Sequence, residues 1–382
     1  MKVNDMRHHN YQPSSKFIHK PVEFDKYTET SLLKYCLGAT MYMPGTKDFL
    51  EAILSRKYPG LTSLVLCFED ACRLEDVPAA EENSLHLLEK LGKAIADGVI
   101  SKEYVPLIIF RVRNLDQFKH FASRLKKEHV SLITAFNFPK FSMENGEAYF
   151  EYLQKLNDQF GEIIYGMPIL ESRAMAYIET RQAELSGVKQ ILDRYKHLVL
   201  NIRVGGTDWS SVFGVRRGIN YTIYDILPVA DCLKDVLNVF SRNNDYCVSG
   251  PVWEYVRANK RMKFDHMPQS INASIFRREP IINDAVDGLL RELIQDRANG
   301  FVGKTIIHPT HIPYVNGMLS VTQEVFNDAI QILNADGGVV KSEQSNKMNE
   351  IGPHKMWAQK IYMRSLAYGV IRDESCYTQL FL

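Results

Sequence analysis

Residues 64–72 read LVLCFEDAC, an apolar run that stops on two adjacent carboxylates, Glu69 and Asp70. Uncompensated acids are costly inside a core, so such a run either surfaces at its end or meets a cation there. The pattern recurs along the chain. LIIFRVRN (107–114) carries Arg111 and Arg113, IIYGMPILES (163–172) closes with Glu171, and VLNIRVGGTD (199–208) ends on Asp208. Carboxylates from separate segments, completed by water, suit Mg2+, a hard ion that takes few protein oxygens. Histidine and cysteine do not occupy those ends, which argues against zinc. The competing reading is that these acids form salt bridges or cap the helices that follow. It fits any one of them well and all four together less well.

Something must bring those ends together. Eight β-rich runs recur, at 39–44, 63–70, 107–114, 131–137, 163–172, 199–208, 246–252 and 304–309. Helical spacing lies between them: Leu85, Leu88, Leu91 and Ile95 form one stripe, and Leu115, Phe118, Ala122 and Leu125 another. DGLLRELIQDRANG repeats the pattern before the last run and closes on a glycine of the C-cap type. This alternation predicts an α/β fold with a parallel sheet. Eight repeats match a (β/α)8 TIM barrel, whose catalytic groups sit at the C-terminal ends of the strands; a doubly wound open sheet is the rival. The expected organisation is an N-terminal extension over 1–38, a barrel over 39–320 and a C-terminal helical extension or lid over 321–382. A basic insertion over about 256–283, with Arg257, Lys260, Arg261, Lys263, Arg277 and Arg278, interrupts the rhythm. It reads as a solvated face, or as a holder of phosphates.

Composition narrows the classes. With 46 basic and 45 acidic residues the net charge is +1, which gives no general pull toward nucleic acid or an anionic membrane. The six cysteines have no disulfide-framework spacing and read as reduced thiols. The start lacks an apolar signal region and no run is long enough to span a bilayer, so a cytoplasmic protein is expected. GGTDW (205–209) lacks the dinucleotide fingerprint; Gly205 and Gly206 let backbone or ligand approach closely beside Asp208. In HPTH (308–311), His308 and His311 flank a proline turn, which favours a structural or substrate-contact role over a metal pair; His308 and Pro309 are placed as substrate contacts. Met41 and Met43 read as packing residues.

Six segments, in order over 39–320, carry a resemblance: MYMPG, CFEDA, FRVRN, PILES, VGGTDW and GFVGKTIIHPTHIPYVN. They resemble motifs of the citrate lyase β-subunit-like members of the HpcH/HpaI aldolase superfamily, on a divergent branch similar to the C–C bond lyases of tellurium-resistance (ter-type) gene clusters. The resemblance implies a TIM barrel, Mg2+, a homo-oligomer (trimer or hexamer), and cleavage or formation of a C–C bond beside a carbonyl. The substrate would be a 2-oxo acid or an acyl thioester, with a CoA thioester as a candidate part of it, and the enolate would be stabilised by the metal. Carried over by position, Glu171 and Asp208 would ligate Mg2+, Arg111 would hold a substrate carboxylate or enolate oxygen, and Glu69 and Asp70 would orient metal-bound water or the arginine. NKMNEIGP (346–353) aligns with a segment that supplies an acid to a neighbouring subunit's site, which makes Glu350 the candidate acid/base group. Two positions depart from the pattern: Cys67 stands where an acid is usual and Arg113 where an asparagine is usual. Thioester hydrolysis, group transfer on a phosphorylated or nucleotide-like substrate, and a non-catalytic subunit of a biosynthetic complex stay open.

Overall fold

The structure, a computed structural model, describes residues 12–256, 281–343 and 347–381. The basic cluster from Arg257 to Arg278 lies outside the described residues.

Eight parallel strands pair in chain order: β1 (Ala39–Pro44), β2 (Ser63–Cys67), β3 (Leu107–Arg111), β4 (Ile133–Phe138), β5 (Tyr165–Leu170), β6 (Ile202–Val204), β7 (Val248–Ser249) and β8 (Lys304–Ile306). β8 returns to β1, with Lys304 beside Ala39 and Ile306 beside Met41. Gly250, one residue past β7, bridges Lys304. The ring closes, so the fold is a (β/α)8 TIM barrel rather than an open sheet. The intervening helices are α1 (Leu50–Leu54), α2 (Val77–Ala96), α3 (Leu115–Ser123), α4 (Gly146–Phe160), α5 (Ile178–Arg194), α6 (Gly206–Val212), α7 (Leu227–Phe240) and α8 (Asp284–Asn299).

Successive strand residues face opposite sides, and that alternation aims the polar groups. Phe110 faces outward, its ring centroid 5.7 Å from Phe68 and 4.9 Å from Phe121 of α3. Its neighbour Arg111, the last residue of β3, is thereby turned to the barrel interior. Phe118, Phe136, Phe138, Tyr149 and Phe150 extend this aromatic layer between strands and helices. Each such ring is worth about 2 kcal/mol of apolar burial, which fixes β2–β4 against α3 and α4. The α2 stripe is rotated from its expected course: Leu88 and Leu91 are buried as predicted, but Leu87 and Ala94 complete the face, while Leu85 and Ile95 are only half-buried. α8 ends on Gly300 at φ +90°, the left-handed cap that its sequence announced. Lys304 of β8 donates to Glu292 Oε1 (2.8 Å) and Asp296 Oδ2 (2.7 Å) of α8, all three being buried. Removing one partner of such a cluster costs about 3–5 kcal/mol, so it pins the last strand in place.

The flanking segments brace the end of the barrel where the strands begin. Lys26 Nζ donates to the Val130 carbonyl (2.9 Å), just ahead of β4. After α9 (Ile312–Leu319), the C-terminal segment is not purely helical. β9 (Val321–Thr322) pairs with a last strand at Val370–Ile371, and an antiparallel pair, β10 (Val339–Lys341) and β11 (Met348–Glu350), lies between α10 (Gln323–Asn334) and α11 (Ile351–Tyr368). Tyr368 Oη donates to the Tyr35 carbonyl (2.6 Å) and Asn244 Nδ2 to the Met356 carbonyl (3.0 Å). Tyr35 and Asn244 precede β1 and β7, so within one chain these contacts of α11 lie at the end away from the strand C-termini, not where a lid over them would sit. No helix among the described residues is long and apolar enough to cross a membrane.

Candidate functional site

β2 stops at Cys67, so Glu69 and Asp70 lie on the loop beyond it rather than in the strand. Their environments then diverge: Glu69 is 6% exposed, whereas the Asp70 side chain is half exposed. Arg113 holds this loop in shape. Its Nε donates to the Phe68 carbonyl (2.9 Å) and its Nη2 to the carbonyls of Glu69 (3.1 Å) and Cys72. An asparagine would be too short to span those three acceptors.

Arg111 reaches across the mouth. Its Nη2 lies 2.5 Å from Glu69 Oε2, 2.9 Å from Asp70 Oδ2 and 3.3 Å from Glu171 Oε1. Burial disfavours its charge, but the surrounding acids, Glu171 foremost, hold its pKa above the ordinary arginine value. Glu171 follows β5 directly and is 5% exposed. Burial pushes its carboxyl up to about 8; Arg111 opposes that rise and Asp208 adds to it. Burial also raises Glu69, against the pull of Arg111. Asp70 is held low, its own burial being outweighed by hydrogen bonding with Glu69 and by Arg111 and Lys140.

Lys140, on the turn after β4, escaped the sequence reading. It is a non-glycine residue at φ +49°, a conformation that needs support from its surroundings. That turn aims its backbone N–H at Glu171 Oε1 (3.0 Å) and brings its ammonium group to Glu69 and to within 3.6 Å of Asp70 Oδ1. A lysine just past Pro139 at the end of the fourth β-rich run was the available signal. Arg203, Tyr42 and Asn137 were likewise passed over inside runs that read as plain core.

Asp208 is not at a strand end as expected. β6 ends at Val204 and Gly206 already begins α6, so Asp208 sits in the first turn of that helix. The diglycine favours this, since glycine is a weak strand residue with no side chain to pack on the sheet. Gly205 also explains the close approach of two acids. A Cβ there would lie 2.4 Å from Glu171 Oε2 and 3.2 Å from Asp208 Oδ2. The two oxygens therefore flank one point and cannot be further apart than the sum of those distances.

These groups border a cavity of about 500 Å³, lined among others by Tyr42, Cys67, Asp70, Arg111, Glu171, Arg203, Gly205, Gly206, Asp208 and Thr305. His308 and Pro309 are not among its lining residues. His308 instead caps the short turn Pro309–His311, accepting from the Thr310 N–H (3.3 Å). Glu350 is exposed at the end of β11 and is not part of this cavity. All six cysteines are buried thiols.

The donor set fits a hard divalent cation. Arg111 contacts Glu69, Asp70 and Glu171, Lys140 contacts Glu69 and Asp70, and Glu171 Oε2 and Asp208 Oδ2 both lie beside Gly205. No cluster of three or more His, Cys, Asp or Glu side chains suited to a metal occurs among the described residues, so water would fill the remaining positions, as Mg2+ prefers.

The family model described as C–C bond lyase of the TIM-barrel fold matches residues 31–370. The chain belongs to this family. Among solved structures, it is similar to protein CitE from Mycobacterium tuberculosis, in a complex with magnesium, acetoacetate and coenzyme A, at 16% identity and a TM-score of 0.50, covering 86% of this chain and 97% of that one. It is also similar to a Haloferax volcanii malate synthase, at 13% identity and a TM-score of 0.49, covering 72% of this chain and 70% of that one. At such identities the first likeness supports the barrel fold alone. No curated protein matches the chain by sequence.

Proposed function

We propose that this C–C bond lyase cleaves or forms a carbon–carbon bond next to a carbonyl in a small 2-oxo acid or acyl thioester, with Mg2+ held by Glu171 and Asp208. The observation that carries this reading is the convergence of Glu171 Oε2 and Asp208 Oδ2 on one point beside Arg111 at the mouth of the barrel. When bound, the cation supplies positive charge to the oxygen that becomes negative as the bond breaks.

The side chains do the rest. Arg111 offers a planar, fixed donor to a substrate carboxylate or developing oxyanion, and its Nε has no partner in the structure. Glu69 and Asp70 set the guanidinium in place, and Lys140 ties Glu69 down in turn. The Lys140 N–H, with Arg111, occupies Glu171 Oε1, which leaves Oε2 for the cation. The buried aliphatic side chains of Ile169 and Val204, which line the cavity, would limit water around the reacting carbon. Glu350, exposed on β11, would serve as proton donor to that carbon in the site of a neighbouring copy, in a homo-oligomer. A CoA thioester would place its acyl end in the same cavity.

The test is a product assay with oxo acids and acyl-CoA thioesters, with Mg2+ or with EDTA. Two carbon fragments should appear only with Mg2+. Glu171→Ala should abolish them, and Arg111→Lys should lower the rate by about 100-fold or more, since a point charge cannot replace the fork. Full turnover in EDTA, or hydrolysis without C–C scission, contradicts the reading.

A further inference from the structure

Four arginines are buried among the described residues: Arg111, Arg181, Arg203 and Arg217. Three of them have carboxylate partners. Arg111 contacts Glu69, Asp70 and Glu171; Arg181 contacts Asp231 and Asp235; Arg217 contacts Glu254 and Glu292. Arg203 has none, although it is only 1% exposed. Its Nη1 donates to Thr40 Oγ1 (3.2 Å), its Nη2 donates to Thr305 Oγ1, and its Nε has no acceptor. The Tyr42 ring centroid lies 5.5 Å from the guanidinium carbon, a weak cation–π contact, and the Tyr42 side chain also hydrogen-bonds the guanidinium. Burial accordingly pulls its pKa below the ordinary arginine value, with Tyr42 opposing. A guanidinium nonetheless keeps its proton, and an unpaired buried charge is expensive unless something compensates it.

The position of Arg203 says what would compensate it. It lines the same cavity as Arg111, Glu171 and Asp208. It stands on β6, two residues before Gly205, and so about 5 Å deeper along the barrel axis once the strand tilt is allowed for. The cavity thus has a cation deeper than the charged groups at its mouth, and the hydroxyls of Thr40 and Thr305 fix that cation in place.

We propose that Arg203 is a specificity-determining residue that receives a second anionic group of the substrate, so that the acid accepted here is a dianion whose far end reaches deeper into the cavity. This rests on the proposed placement of a 2-oxo acid at Glu171, Asp208 and Arg111. The far group is a carboxylate or a phosphate-type oxyanion, both of which match the arginine fork.

The test is titration calorimetry with pyruvate, oxaloacetate and phosphonopyruvate. These share the 2-oxo acid end and differ in whether C3 carries hydrogen, a carboxylate or a phosphonate. In Mg2+ the wild-type protein should bind at least one dianion about tenfold or more tighter than pyruvate, the scale of one charge-assisted bidentate contact. Whichever dianion wins identifies the far group. Arg203→Gln should bring that ratio to within roughly twofold while leaving pyruvate affinity unchanged, and Arg203→Lys should keep a smaller preference. Equal binding of all three ligands by the wild type, or equal weakening of all three by Arg203→Gln, overturns the proposal and leaves Arg203 a structural tie. Should Arg203→Gln fail to fold, an undiminished preference in Arg203→Lys overturns it as well. Repeating the titrations in EDTA separates the two readings: binding that ignores Mg2+ while the Arg203-dependent preference persists removes the metal assignment and retains the anion subsite.

Discussion

Gly205→Ala is the sharpest small perturbation of the site. Gly205 has φ −99° and ψ 74°, outside the left-handed region that favours glycine, so backbone strain does not enter. The added methyl would lie 2.4 Å from both Cβ and Oε2 of Glu171 and 3.2 Å from Asp208 Oδ2. Glu171 cannot simply swing away, because it is 5% exposed and its Oε1 is held by the Lys140 N–H and by Arg111. Overpacking of this kind costs about 1–3 kcal/mol. Displacing a reacting carboxylate by about 1 Å costs on the order of 100-fold in rate. Urea unfolding of four proteins measures the first effect: wild type, Gly205→Ala, Glu171→Gly and the double variant. Glu171→Gly removes both crowded atoms, so the methyl should cost little in that background and the two changes should be strongly non-additive. Gly205→Ala as stable as wild type, or an additive cycle, refutes the claim that the two acids close on this glycine.

Two further outcomes follow from other parts of the molecule. Arg113→Ala should lower stability by about 2–3 kcal/mol in urea unfolding and slow turnover, because charged donors to three loop carbonyls are lost; unchanged stability removes the clamp role. His311 is buried, and burial lowers its pKa from 6.5 to about 4, opposed by its bond to the Tyr255 carbonyl. A folded-state value below the unfolded one gives stability that is complete above about pH 6.5 and is lost as pH falls through about 4, in total about 3 kcal/mol. His311→Gln should flatten that acid limb, and parallel stability curves for variant and wild type between pH 7.5 and 4 contradict this.

The barrel was legible because its evidence is periodic. Eight β-rich runs separated by helical spacing have few other ways to bury both faces of a parallel sheet. Glu69, Asp70, Arg111, Glu171 and Asp208 stood out because a charged residue ending an apolar run demands a reason. What stayed hidden depends on conformation or on three-dimensional neighbours. Asp208 moved from a strand end to a helix turn because the chain turns into a helix at Gly206. Lys140 joined the site through a left-handed turn that its sequence does not announce. Arg203 resembled any arginine in a strand, since no local pattern shows that it alone of four buried arginines lacks an acid. Arg113 looked like a departure from a family pattern and proved to be the loop's clamp.

Glu171 and Asp208 should share one divalent cation. A crystal structure of the protein soaked with Mg2+ and a small 2-oxo acid tests it most directly. An ion should lie about 2.1 Å from one oxygen of each side chain, with water and the oxo acid completing the shell. An ion bound elsewhere, or ligated by only one of the two, contradicts it.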